Sequence, residues 1–81
     1  MARYFFHLTE DDRILADEEG MVLSDDSTAW TEAVRQIRSI VAQETRETGH
    51  IWLTRHIDVV NRRGAVVARV AFGDALRIHT E

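Results

Sequence analysis

Among the 81 residues, the side chains best suited to metal chemistry are His7, His56 and Asp58. Alternation along short strands places all three on one sheet face. Were their strands neighbours, they would form the two-histidine, one-carboxylate set that divalent metals favour. Their spacing follows neither the helical metalloprotease pattern nor the zinc-finger one. Histidines on a sheet face are more often solvated or bonded to a neighbour, so no metal and no other cofactor is expected. Grouped histidines would alternatively make an interface that responds to mild acid. His50 and His79 fall in a loop and a tail and read as surface residues.

Other chemistries find less to work with. Glu10-Asp11-Asp12 and Asp17-Glu18-Glu19-Gly20 set their acids side by side, whereas an EF-hand calcium loop needs them at alternate positions. Ser24, Ser27 and Ser39 lack the strand-turn-helix elbow of a serine nucleophile. Gly20, Gly49, Gly64 and Gly73 stand apart and build no phosphate-cradling loop. The chain contains no cysteine, which removes disulfides, thiolate metal sites and thiol nucleophiles. No pair of carboxylates is set in a pocket for acid–base work. A non-enzymatic protein is expected.

The composition, 44% apolar and 30% charged, is that of a globular domain, and the length fits one domain over 1–81. No apolar run approaches the ~20 residues of a membrane span. The opening residues lack the basic-then-apolar plan of a secretory signal, so a cytoplasmic address is expected. A net charge of −4 disfavours nucleic acid and anionic membranes as partners. That charge is uneven: residues 1–27 carry a net −6 and residues 28–81 a net +2, so opposite halves attract within a chain or between two copies. Arg35, Arg38 and Arg46 line one side of the helix described next, but Glu32 and Glu47 lie beside them and a solvated charged face is expected.

Local patterning supplies the elements that must position these groups. Arg3 to Leu8 is aromatic-rich and short, a strand, and Arg13 to Ala16 returns as a second. The turn at 17–20 combines an Asp that can bond its own backbone with a Gly free to take positive φ. Met21-Val22-Leu23 then runs extended into a helix over about 26–47. Ser24, Asp25 and Asp26 offer cap oxygens, Gly49 offers a stop, and Ala29, Trp30, Ala33, Val34, Ile37, Ile40 and Val41 make one apolar stripe. Its end should overhang the sheet, which would let Glu44 sit on that stripe. Ile51-Trp52-Leu53 leads into a strand over 55–60, a loop at 61–64 and a strand over 66–72. Gly73-Asp74 breaks the last strand before a short element over 75–78. The fold class is α+β: two layers, an antiparallel sheet of about four strands and one long amphipathic helix, in β-β-α-β-β order.

Tyr4, Phe6, Leu8, Ile57, Val59, Val66, Ala68, Val70 and Phe72 share the face that meets the helix. The opposite face takes Phe5, His7, His56, Asp58, Val60, Val67, Arg69 and Ala71. Phe5, Val60 and Val67 are out of place on a solvated face. An apolar patch framed by His, Asp and Arg is the composition of an interface. Phe5, His7, Val60, Val67 and Arg69 are therefore the expected contacts of a homodimer or a protein partner. The rival reading is a small-molecule or metal-binding protein that uses His7, His56 and Asp58.

The opening Arg3-Tyr4-Phe5-Phe6-His7-Leu8 and the turn Asp17-Glu18-Glu19-Gly20 resemble a family of small uncharacterised bacterial proteins, a domain of unknown function. The helix start around 26–33, the strand-turn-strand over 57–67 and Phe72-Gly73-Asp74-Ala75-Leu76 extend the likeness along nearly the whole chain. Gly73 departs from the serine that the family favours there. The resemblance implies a bacterial cytoplasmic protein of this fold and carries over no catalytic residue. A second likeness, to antitoxin-like domains, is architectural only.

Overall fold

The computed structural model describes residues 1–77. Strand β1, Ala2–Glu10, is its organising element: three other strands pair with it, all antiparallel. β2 (Arg13–Leu15) follows the acidic turn, and β3 (Met21–Leu23) follows the turn at 17–20. Helix α1 spans Asp26–Thr48, and β4 (His56–Val60), β5 (Val66–Ala71) and a short helix α2 (Phe72–Leu76) complete the chain. The sheet order is β2-β1-β4-β5, with β3 also on β1. The two-layer α+β arrangement holds, with β3 as an added strand.

One edge of β1 serves two short partners. Leu8 to Glu10 pairs with β2 and Ala2 to Tyr4 with β3, which leaves residues 5–7 between them. The turn at 17–20 closes that gap. Gly20 has φ +71°, and a Cβ there would lie 2.7 Å from the Tyr4 carbonyl oxygen, so neither the conformation nor the space admits a side chain.

α1 begins where Asp25 accepts the Thr28 N–H at 2.8 Å; its neighbour Asp26 is taken by the Tyr4 hydroxyl at 2.6 Å. That bond, helped by burial and by the charges of Asp26 and Asp25, pushes the Tyr4 hydroxyl up to about 12. Gly49, at φ +76°, ends the helix with its N–H on the Thr45 carbonyl. Ala29, Ala33, Val34, Ile37 and Val41 are buried against Tyr4, Phe6, Ile57, Val59, Val70 and Phe72. Burying each of the larger side chains in this set contributes roughly 1.5–3 kcal/mol. Trp30 departs from the expected stripe and is 40% exposed. Buried alanines at 29 and 33 bring the helix backbone close to the sheet, which leaves the indole at the margin.

Three further expectations change. β5 stops at Ala71, and Phe72 starts α2 with its N–H on the Arg55 carbonyl at 3.0 Å, so Gly73 and Asp74 lie inside a helical turn. Ile78 and His79, assigned to the terminal element and the tail, lie outside the described residues. Val60 pairs with Val66 while Val59 pairs with Ala68, a bulge that breaks strict alternation. Val67 is thereby packed against the core, and Val66 is left 54% exposed. Finally, Glu44 does not overhang in water: Arg55, just before β4, pairs with it and with Glu10 at the end of β1.

The molecule is only 17 Å along its thinnest axis. One helix layer on one sheet fills that depth, and among the described residues nothing covers the other face of the sheet.

Candidate functional site

The open face is built from β1, β4 and β5 side by side. Cross-strand register sets Phe5 opposite Val60, His7 opposite Asp58, Thr9 opposite His56, and Asp58 opposite Arg69. His7, His56 and Asp58 are thus brought together as the alternation anticipates. Their bonds are not those of a metal site. Arg69 grips both Asp58 oxygens, Nε to Oδ1 at 2.6 Å and Nη2 to Oδ2 at 3.1 Å. His56 Nε2 stands 3.7 Å from Oδ2. The Arg69 hydrogen bond holds the Asp58 carboxyl below its ordinary range, with burial opposing and the arginine and histidine charges assisting. Among the described residues, no group of three His, Cys, Asp or Glu side chains is placed to hold a metal.

His7 turns its other edge to the turn at 17–20. Its Nδ1 accepts the Asp17 N–H at 3.0 Å, and its ring stacks on Phe5 at 6.5 Å between centroids. Asp17 is the hub of that turn: it accepts the N–H groups of Phe6 at 3.1 Å, Glu19 at 3.2 Å and Gly20 at 3.1 Å. Burial would raise the Asp17 carboxyl, but the N–H groups of Gly20, Phe6 and Glu19, with the nearby His7, outweigh it and hold it below its ordinary value. Asp17 and Gly20 were legible as turn formers; the tie to His7 was not, because it joins residues ten apart.

Of the five expected interface residues, Phe5, His7 and Val60 form one half-buried group on the open face, and Arg69 is exposed beside them. Val67 does not belong to it. The bulge substitutes Val66, opposite Val60 and open to solvent.

On the helix side of the sheet lies a cluster that the sequence reading missed. Arg55, 4% exposed, donates to Glu44 twice, at 2.8 and 2.6 Å, to Glu10 at 3.2 Å and to the Trp52 carbonyl at 3.2 Å. Its guanidinium lies 4.3 Å from the Phe72 ring centroid. The Arg55 hydrogen bond keeps the Glu44 carboxyl below its usual range, although burial opposes it. The available signal was Glu44 itself, a charge on an apolar helical stripe. Beside this cluster a cavity of about 360 Å³ is walled by Glu10, Asp11, Asp12, Arg13, Trp52 and Thr54. The Ile51-Trp52-Leu53 run next to it is about half exposed.

On the outward side of the helix, Arg35 forks onto Glu32 at 3.0 and 2.6 Å, and Arg38 Nε donates to the Ala75 carbonyl at 3.3 Å. Both arginines therefore have work within the chain. No helix among the described residues is long and apolar enough to cross a membrane.

Over residues 3–73 the chain matches the model of a family described as "Domain of unknown function (DUF6894)". The match contains β1 from Arg3 onward, the turn at 17–20, the whole of α1, β4 and β5. Comparison with curated proteins and with solved structures returned no match.

Proposed function

We propose, on the premise that this chain belongs to the DUF6894 family of domains of unknown function, that it is a cytoplasmic, non-enzymatic protein–protein interaction module that self-associates through the open face of its sheet. One observation carries the reading: among the described residues a whole sheet face has no second layer, and at its β4–β5 hairpin end Phe5 and Val60 stand opposite one another with Val66 beside them. Beside that apolar group, Asp58 and Arg69 are already neutralised by each other, so a partner sheet can cover them without leaving a charge alone. Apolar side chains bordered by paired polar ones have the composition of an interface. A small domain also gains from added burial, because its surface is large for its volume.

Light scattering on a size-exclusion column tests the proposal. The unaltered chain should elute at twice its monomer mass and Phe5→Asp at the monomer mass, with the circular dichroism of the fold retained. A monomer at every concentration, or a Phe5→Asp variant that stays dimeric, would overturn it.

A further inference from the structure

Two bonds of opposite sense tie Asp17 to β1, and they answer differently to a proton. Asp17 Oδ2 accepts the Phe6 N–H, a bond kept for as long as the carboxylate is charged. The Asp17 N–H donates in return to His7 Nδ1 at 3.0 Å, which needs a bare lone pair on that nitrogen and so the tautomer with its hydrogen on Nε2. A doubly protonated imidazole has hydrogen on both nitrogens and accepts nothing. We propose that His7 is a proton-operated latch: neutral, it fastens the turn into the gap along the β1 edge; protonated, it releases the Asp17 N–H and turns to carboxylates instead. This holds whether or not two copies meet on the open face.

The surroundings accommodate both states. The turn presents Asp17, and β4 presents Asp58 directly across the ladder from His7. Behind Asp58 stand His56, on the same strand, and Arg69, from β5. On β1 itself the stacked Phe5 ring carries no charge. Neutral imidazole thus meets a backbone donor, and the cation meets two carboxylates. Asp17 still accepts from Phe6, Glu19 and Gly20 after the latch opens, so the change is local: one anchor is lost and the sheet stays intact.

Nuclear magnetic resonance on ¹⁵N-labelled protein, titrated from about pH 8 to about pH 5 where histidine changes charge, decides the matter. At the alkaline end His7 Nδ1 should show the shift of an unprotonated nitrogen. The Asp17 amide proton should then move with the His7 midpoint, and its exchange, corrected for intrinsic pH dependence, should quicken about fivefold relative to the Phe6 amide. In His7→Gln the Asp17 titration step should vanish. A hydrogen on Nδ1 at the alkaline end, or an Asp17 amide that ignores His7 or follows His56, would sink the latch. Those readings use the unmodified protein and need no variant to fold.

Discussion

Two arginine forks sit on opposite faces of the same sheet, and their bond lengths are similar. Arg55 holds Glu44 at 2.6 and 2.8 Å; Arg69 holds Asp58 at 2.6 and 3.1 Å. What separates them is water. The Arg55 side chain is 4% exposed, closed in by Trp52, Phe72 and the end of α1, whereas that of Arg69 is 63% exposed. Stripping water from a charge costs several kcal/mol, so a sealed arginine is held in place by partners that cannot be removed one at a time. An exposed fork of the same length contributes little, because water and salt stand in for either partner. The helix-side cluster is thus a fastening of the fold, and the open-face cluster is free to be a surface.

Deleting each arginine separates the two most sharply. Arg55→Ala empties a sealed position, leaves Glu10 and Glu44 facing each other without their shared cation, and should cost about 3–5 kcal/mol in urea unfolding. A loss below about 1 kcal/mol would reduce it to a surface pair. Next in size is the pairwise coupling from double-mutant cycles. Glu44 with Arg55 should couple by roughly 2 kcal/mol or more, and Asp58 with Arg69 by under about 1 kcal/mol; equal couplings would erase the distinction.

Acid should draw the same line more gently. Both carboxyls have folded pKa values below the ordinary one. Each therefore adds stability that is complete above the unfolded value of about 4 and is withdrawn as pH falls through the lowered folded value. Glu44→Gln should flatten the acid limb of a stability–pH curve more than Asp58→Asn does, since the Glu44 partner is sealed. The reverse order would contradict the burial argument. Smallest is salt: raising it to about 1 M should shrink the cost of Arg69→Ala toward zero while leaving that of Arg55→Ala nearly unchanged.

Much of the fold was readable in the chain because much of it is local. Asp25 and Gly49 mark the ends of α1 within one residue, since caps satisfy neighbouring backbone groups. Asp17 and Gly20 wrote their turn for the same reason. The open face was read correctly up to Val60 and wrongly at Val67, because alternation predicts side only while register is unbroken and a bulge is a property of two strands together. Trp30 points along the apolar stripe yet is 40% exposed, because an amphipathic wheel gives direction but no depth. Glu44 stands out in the sequence as a charge on an apolar stripe, but its partner lies eleven residues on, across a loop whose course the chain does not spell out.

Sequence by itself determined where the helix starts and stops, which stretches extend, where the chain turns and which residues alternate, for each of these depends on neighbours within about four positions and on the intrinsic geometry of the backbone. Only the tertiary structure decided that Arg55 is sealed and Arg69 is wet, that Val66 rather than Val67 faces out, and that His7 takes its hydrogen bond from Asp17. Those outcomes depend on strand register and on which surfaces exclude water, and both are settled when distant segments pack together.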